Sequence, residues 1–238
     1  MTDRRWCLFA LSFLIGLLTI GCQPQPTHSD ASTLSKATST PTISPSPIVA
    51  TSTSAPAPTH TDVFECSEIT GTTVEGSYRG VVYKQEVPFI ASLPPCYSLE
   101  NRSYPVVYLL HGYPYDQTHW LELLLITTYE GGFNRGEWPA IIFVLPFVPE
   151  QLFIHTDGGV GSYEQEFLEG LVPFIESEFR VLESKNQRAL GGVSRGGVWA
   201  LEIGLRNADQ FDHVIAVSPS LVNNYPRPPY NPFEIVRE

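Results

Sequence analysis

A serine flanked by glycines is the residue best suited to do chemistry in this chain. The stretch Gly192-Val193-Ser194-Arg195-Gly196 has the pattern Gly-x-Ser-x-Gly and stands between a strand-like and a helix-like run. A sharp strand-to-helix turn lifts such a hydroxyl clear of a sheet, and the glycines are needed because a Cβ there would collide with neighbouring backbone. The helix N-terminus and the Arg195 N–H would then face a developing oxyanion. The five residues alone are a weak signal, because a glycine-rich turn without chemistry can share the pattern.

The elements on either side of the motif occur in the order that such a turn requires. Upstream, the apolar run 104–110 predicts a strand buried on both faces, and it ends in His111-Gly112-Tyr113. In hydrolases with this turn, a His-Gly turn at the end of a strand usually supplies a second oxyanion N–H. Downstream, 198–205 has the spacing of a buried helix and 213–217 is the next apolar strand. This order of elements favours the interpretation of Ser194 as the nucleophile of an enzyme over that of a glycine-rich turn without chemistry.

These stretches resemble the putative esterase (esterase D) family of α/β hydrolases, which includes feruloyl esterases, enterochelin esterases, S-formylglutathione hydrolases and mycolyltransferases. The resemblance covers nearly everything after about residue 64, and it is carried by 93–95, 104–112, 163–180, 188–205 and 211–219. The doubled glycines around Ser194 and the pair Ser218-Pro219 make it fairly specific to this family. It implies that Ser194 is the nucleophile, with the N–H groups of Arg195 and Tyr113 as oxyanion donors.

Composition and periodicity predict a single α/β domain. The chain has 238 residues, 42% hydrophobic residues and a formal net charge of -11, which suits one core and argues against nucleic acid, whose binding needs a basic face. The run 81–91 alternates like antiparallel strands, 141–146 reads as a buried parallel strand, and 162–179 as an amphipathic crossover helix. We therefore predict a doubly wound, mostly parallel sheet with its site at the carboxyl ends of the strands.

The N-terminal part of the chain predicts a lipoprotein signal followed by a tether. Residues 1–21 combine two arginines with an apolar run, and Leu18-Thr19-Ile20-Gly21-Cys22 resembles a bacterial lipobox. An ordinary signal peptide or an uncleaved anchor is the alternative. Lipidated Cys22 would hold the protein to the membrane outside the cytoplasm. Residues 22–62 are rich in Ser, Thr, Pro and Ala and predict a disordered linker, which leaves 63–238 as the catalytic domain.

Two cysteines of the predicted domain form an even pair in an exported protein. We expect Cys66 and Cys96 to form a disulfide, with two free thiols as the alternative. No cysteine and histidine spacing suggests a metal site, and the sequence indicates no cofactor.

The acid and the histidine of a serine hydrolase triad have no obvious place in this sequence. The family order is serine, acid, histidine, yet only a short stretch follows Ser194. Asp209, Asp212 and His213 precede a parallel strand, whose length would keep them roughly 17 Å from the serine. We therefore expect the chain to be a fragment that lacks the last strands and helices of the α/β-hydrolase fold.

The remaining polar candidates are assigned no direct chemistry. His111 is expected to be structural and, with Gly112, to position the oxyanion loop. His155 and Asp157 are expected in a solvated loop. Glu164 and Glu166 lie at the start of the crossover helix, where the helix dipole favours acidic side chains. Should the chain be fully active, its base would have to come from His111, His119 or His155.

The sequence thus predicts an extracytoplasmic serine esterase that acts on a small-molecule or glycan ester through an acyl-enzyme on Ser194. An acyltransferase of the same fold, in which an alcohol replaces water, is one alternative. A noncatalytic lipoprotein that keeps the fold as a binding module is another, favoured by the absent histidine and disfavoured by the intact serine turn.

Overall fold

The computed structural model describes residues 66–221 and 230–237. The strands of this part are β1 Thr72–Arg79, β2 Glu86–Leu93, β3 Val106–Leu110, β4 Ile142–Pro146, β5 Arg188–Val193 and β6 His213–Val217. Its helices are α1 His119–Glu122, α2 Leu125–Asn134, α3 Glu150–Phe153, α4 Tyr163–Gln165, a π-helical segment Glu166–Leu171, α5 Val172–Glu178, a 3-10 turn Lys185–Gln187, α6 Arg195–Arg206 and α7 Pro232–Ile235. The predicted signal peptide, Cys22 and the linker 22–62 lie outside the described residues. Within the described ranges, no helix has the length and apolar character needed to cross a membrane.

The strands form one mixed sheet in the order β1-β2-β4-β3-β5-β6. β4, β3, β5 and β6 run parallel, whereas β1 and β2 pair antiparallel at one edge. After β3 the chain first adds β4 on one side and later β5 on the other. The carboxyl ends of β3 and β5 therefore meet at a switch point, where open α/β sheets place their sites. The predicted doubly wound, mostly parallel sheet is confirmed.

Helices cover both faces of the sheet. On one face the crossover helix and α6 pack against β3, and the rings of Tyr108 and Phe167 meet edge to face with centroids 5.3 Å apart. On the other face α2 brings Tyr129 against Phe143 of β4, at 4.9 Å. Edge-to-face pairs add stabilisation beyond the burial of their apolar area. The sheet is thus held between two apolar layers, and its strand ends are fixed relative to one another.

The antiparallel strands agree with the prediction only in part. The alternation at 81–91 predicts strands there, and β2 begins within this range at Glu86, but β1 lies earlier and 80–85 forms the turn before β2. The turn is closed by a hydrogen bond from Gly80 N to Gln85 O, and Lys84 has a φ of 62°. Burial alternates along β1, but the inward positions are Val74, Gly76 and Tyr78, of which only Tyr78 is fully buried, so the apolar signal in the sequence was too weak to predict this strand.

The crossover helix runs from 163 to 178, close to its predicted bounds of 162–179. Ser162 caps it by accepting a hydrogen bond from Glu164 N, and Phe179 is extended. The apolar spacing predicts that Phe167, Leu171, Phe174 and Ile175 face the core. Phe167, Leu171 and Ile175 are fully buried, and Phe174 is partly buried against the same cluster. The interruption by the π-helical segment was not predicted, because a single wide turn hardly changes the apolar spacing.

Cys66 and Cys96 are joined by a disulfide, with their Cα atoms 5.8 Å apart. The bridge ties the start of the described region to the turn between β2 and β3. A carboxylate oxygen of Glu68 accepts a hydrogen bond from Cys96 N at 2.6 Å, so the same short segment is held twice.

Candidate active site

Ser194 is the single residue between the end of β5 and the first residue of α6. Its φ of 54° and ψ of -117° lie outside the ordinary regions for a non-glycine residue, which costs energy that the surrounding structure must offset. Ser194 N donates to Val217 O at 2.9 Å, and Ser194 O accepts from Ser220 N at 3.1 Å, so β6 and its following loop hold the turn from both sides. The strained strand-to-helix turn expected from the sequence is present.

The two flanking glycines are explained by the close approach of neighbouring backbone. A Cβ on Gly192 would collide with the carbonyl of Gly196, and a Cβ on Gly196 would collide with the carbonyls of Leu110 and His111. The second collision involves the end of β3. The glycines therefore allow the nucleophile turn to sit directly against the strand that carries the predicted oxyanion loop.

Ser194 as a residue is half-buried, and its hydroxyl lies 2.9 Å from the hydroxyl of Ser220 in an exposed contact. No histidine or carboxylate of the described residues hydrogen-bonds to it. His213 pairs with Ala189 near the start of β5, and Asp212 lies 3.7 Å from Lys185, so both are at the opposite end of the strands, as expected. Ser220 was not singled out in the sequence, because a serine in a loop carries no signal of its contact.

His111 is buried and supports the loop 111–115, which the sequence predicts to be the oxyanion loop. Its Nε2 accepts a hydrogen bond from Val148 N at 3.0 Å, so the proton of the neutral ring is on Nδ1, which donates to Gly112 O at 2.9 Å. Burial lowers the pKa of His111, which favours this neutral form. With both nitrogens engaged by backbone, His111 is not available as a base for Ser194.

The Gly112 carbonyl determines the direction of the Tyr113 N–H. It accepts hydrogen bonds from His111 Nδ1 and from Tyr115 N, both at 2.9 Å. In a trans peptide the C=O and the following N–H point in opposite directions. Because these two donors fix the carbonyl on one side, the Tyr113 N–H points to the other side, and it has no hydrogen-bond acceptor among the described residues.

The Arg195 side chain is directed to Phe153, Thr156 and Trp199 and makes no hydrogen bond with the Ser194 hydroxyl. It is buried, donates from Nε to Phe153 O at 2.7 Å and from Nη2 to Thr156 O at 3.3 Å, and lies over the Trp199 ring. Burial lowers the pKa of Arg195 to about 10, although the carboxylates of Glu202 and Asp157 favour its charge. Arg195 thus anchors the start of α6 to the loop after α3, and only its backbone remains at the nucleophile turn.

The acids near the crossover helix are more deeply buried than the sequence suggested. His155 is exposed as expected, but Asp157 is only 5% exposed, so the prediction of a solvated position for Asp157 is wrong. Asp157 lies close enough to the buried Arg195 side chain for its charge to favour the charged form of Arg195. The glycine-rich composition of the loop gave no sign of this proximity.

Glu164 and Glu166 bind specific backbone and side-chain donors, so a helix dipole alone does not explain them. Glu164 accepts from Arg206 Nε at 3.2 Å and Asn207 Nδ2 at 2.9 Å. One Glu166 oxygen accepts from the N–H groups of Val82 and Tyr83, at 2.6 and 3.0 Å. Both carboxylates thus make structural contacts within the described domain.

A small cavity of about 150 Å³ lies beside the oxyanion loop. Tyr113 and Tyr115 expose about half of their surface there, and the Tyr113 hydroxyl donates to Glu150 at 3.2 Å. Phe147 and Val148 close the inner wall. Within the part of the chain that the structure describes, no group of three or more His, Cys, Asp or Glu residues could hold a metal ion.

Comparison with known sequences gives relatives that are esterases. An acetyl esterase of Caldicellulosiruptor saccharolyticus is 28% identical over 127 residues, which are 52% of this chain and 44% of that protein. An esterase of Mycobacterium tuberculosis is 32% identical over 119 residues, which are 46% of this chain and 24% of the relative. The chain spans less than half the length of these curated relatives.

Comparison with solved structures gives the same architecture. A ferulic acid esterase superposes with a TM-score of 0.59 at 26% identity, over 70% of this chain and 66% of the other. The feruloyl esterase of Anaeromyces mucronatus in complex with ferulic acid has a TM-score of 0.55 at 28% identity, over 68% of this chain and 61% of the other. An S-formylglutathione hydrolase of Staphylococcus aureus, at 16% identity and a TM-score of 0.57, shares the fold, over 70% of this chain and 73% of the other.

A family model described as putative esterase matches residues 81–228, a span that contains β2 to β6, the predicted oxyanion loop and the strained turn at Ser194. The sheet order, the strained serine and the sequence match agree, and the chain therefore belongs to the putative esterase family of α/β hydrolases.

Proposed function

We propose that this protein is an extracytoplasmic serine esterase that hydrolyses carboxylic esters through an acyl-enzyme on Ser194. The observation that carries the proposal is the strained Ser194 at the end of β5, held against a loop whose Tyr113 N–H is oriented by two hydrogen bonds on the preceding carbonyl. A strained turn of this kind persists only where the surroundings enforce it, and it is typical of functional sites.

The geometry supports the following chemistry. The Ser194 oxygen attacks the ester carbonyl, and the carbonyl oxygen becomes an oxyanion that the N–H groups of Tyr113 and Arg195 stabilise. Collapse of this intermediate breaks the bond to the alcohol and leaves the acyl group on Ser194, and attack by water then releases the acid. The Ser194 proton must pass to a base and then to the leaving alcohol, and no described residue contacting Ser194 Oγ is such a base.

The residues that line the small cavity beside the loop 111–115 support a proposal for the substrate class. Tyr113 and Tyr115 offer flat, half-exposed rings on which an aromatic acid or a sugar could stack. Structural neighbours described as ferulic acid esterases, and a relative described as an acetyl esterase, define two acyl groups to compare. We propose that a feruloyl ester is preferred over an acetyl ester of the same alcohol.

The test uses residues 1–238, with Ser194→Ala as the background. Without a base beside Ser194 we expect p-nitrophenyl acetate turnover to be several orders of magnitude below ordinary esterase rates, yet above that of Ser194→Ala, because oxyanion donors alone leave residual catalysis. Added imidazole should raise the Ser194-dependent part of the rate. Slow labelling by a fluorophosphonate should likewise require Ser194.

Two other outcomes would change the assignment. Ordinary enzymatic rates would show that a histidine of this chain reaches Ser194, and His119 or His155 would then be the base. A folded protein that neither turned over esters nor labelled, with or without imidazole, would refute the esterase proposal and favour a binding lipoprotein. Product analysis with an added alcohol separates hydrolysis from acyl transfer.

A further inference from the structure

We propose that His119 is a positioning residue of the ester site, one that holds the oxyanion loop by accepting a hydrogen bond from the Gly112 N–H. This inference rests on the proposed esterase function of Ser194. His119 opens the short helix α1, downstream of the loop, and only 9% of its surface is exposed.

The hydrogen bond from Gly112 determines which nitrogen of the neutral His119 ring carries the proton. Gly112 N donates to His119 Nδ1 at 3.1 Å, so Nδ1 must carry a lone pair and the neutral ring carries its proton on Nε2. His111, on the other side of the same glycine, carries its proton on Nδ1. The two histidines therefore have opposite tautomers, one accepting from Gly112 and one donating to it.

Together the two rings fix both peptide planes that meet at Gly112. The His111–Gly112 peptide plane is held because its N–H, that of Gly112, donates to His119. The Gly112–Tyr113 peptide plane is held because its carbonyl, that of Gly112, accepts from His111 Nδ1 and Tyr115 N. Glycine has wide backbone freedom, so a loop with only one plane held could still turn about its Cα. With both planes held, the Tyr113 N–H keeps one direction, as preorganised oxyanion stabilisation requires.

His119 also lies close to the nucleophile. A Cβ built on Gly112 would be 3.4 Å from His119 Cε1 and 3.4 Å from Ser194 Cβ, so the ring edge and the serine border the same small space. A displacement of the His119 ring would therefore alter the position of the loop at Gly112 and the space next to Ser194.

The surroundings of His119 are suited to keeping it in place. The Tyr115 ring stacks on it with centroids 3.9 Å apart and planes within 7°. Trp120 Nε1 donates to Leu110 O at 3.0 Å, which ties α1 to the end of β3. An Asp116 oxygen accepts from Thr118 N and Oγ1, which shapes the turn that leads into α1.

Two substitutions separate the acceptor from the ring. His119→Asn places a carbonyl oxygen near the position of Nδ1 but removes the stacked ring, whereas His119→Phe keeps a ring and removes the acceptor. We expect His119→Phe to lower the fluorophosphonate labelling rate and kcat for p-nitrophenyl acetate roughly 10- to 100-fold with little change in KM, since a misplaced group of this kind costs up to about 10²-fold. His119→Asn should recover most of the loss.

Two results would overturn the proposal: His119→Phe reacting at the wild-type rate, or both variants losing rate equally in step with a lower Tm. Nitrogen-15 NMR of the unsubstituted protein gives an independent measurement, with an unprotonated Nδ1 expected on His119 and an unprotonated Nε2 on His111. A protonated Nδ1 on neutral His119 would also refute the inference. A wild-type protein that fails to label would refute the esterase function, whereas the tautomer measurement would still decide the hydrogen bond.

Discussion

Glu202, on the buried face of α6, shows how a single residue can make stability depend on pH. It is fully buried, and burial raises the pKa of its carboxyl from 4.5 to about 8, although the Arg195 charge favours ionisation. Between these two values the unfolded chain has lost the proton and the folded protein has kept it. The stability linked to Glu202 is therefore fully present below pH 4.5 and is lost as the pH rises towards 8.

We predict that Glu202→Gln raises Tm relative to the wild type at pH 8 and that this gain shrinks towards pH 5, because a neutral amide has no proton to lose. Calorimetry at both pH values measures it. Glu178→Gln, which changes an exposed acid of α5, is the control and should shift Tm little at either pH. An equal effect of Glu202→Gln at both pH values would show that Glu202 is already ionised in the folded protein.

At the scale of elements, the π-helical segment fastens the antiparallel edge of the sheet to the crossover helix. Glu166 reaches from this segment to the N–H groups of Val82 and Tyr83 in the turn between β1 and β2. Gly170 leaves the room for this approach, since a Cβ there would lie 3.2 Å from Tyr78 and 3.3 Å from Glu166 Oε1. The turn is thus held by a buried carboxylate in addition to its own hydrogen bonds.

We predict that Glu166→Ala lowers the free energy of unfolding by about 2 to 4 kcal/mol, because it leaves two backbone donors without their acceptor. Urea denaturation measures the change. Glu169→Ala, an exposed acid of the same segment, should cost less than about 0.5 kcal/mol. Similar losses in the two variants would mean that helix propensity, and not the Glu166 contact, is responsible.

Sequence patterns predicted those elements whose burial is regular and missed those held by individual contacts. The buried run before His111 and the glycines around Ser194 predicted β3 and the serine turn, because each reflects a repeated or steric requirement. The Asp157 charge acts on Arg195, which is distant in sequence, and the acceptor role of His119 depends on how residues 113–118 turn back towards the Gly112 N–H. No local sequence pattern encodes either one. The position of β1 was missed for the related reason that an edge strand can be largely exposed.

At the scale of the whole molecule, the disulfide secures the start of the described domain. Cys66 and Cys96 are separated by 30 residues, and closing a loop of this length stabilises by about 3 to 4 kcal/mol on the chain-entropy model. We predict that the double variant Cys66→Ser/Cys96→Ser loses roughly this amount in urea denaturation. Mass spectrometry of a nonreduced digest should find the bridged peptide in the wild type, and two free thiols there would contradict the pairing.

The predicted lipid anchor concerns residues outside the described ranges. Its basis is the lipobox-like sequence that ends in Cys22, and a disulfide is also typical of exported proteins. We predict that the protein made in a bacterial host partitions with membranes after cleavage before Cys22, and that Cys22→Ala abolishes both events. Cys7→Ala is the matched control. Unchanged processing and partition of Cys22→Ala would exclude lipidation at this site.

The pairing of β3 with β5 has a consequence for the order of folding. Val106 pairs with Arg188, about 80 residues further along the chain, whereas β1 and β2 are joined by a tight turn. Local pairs close quickly and distant ones slowly, so we expect the hairpin to form before the nucleophile turn is pressed against β3. Ser194 would therefore adopt its strained φ and ψ late in folding. A newly made or partly folded chain would then not show the reactivity of the Ser194 hydroxyl.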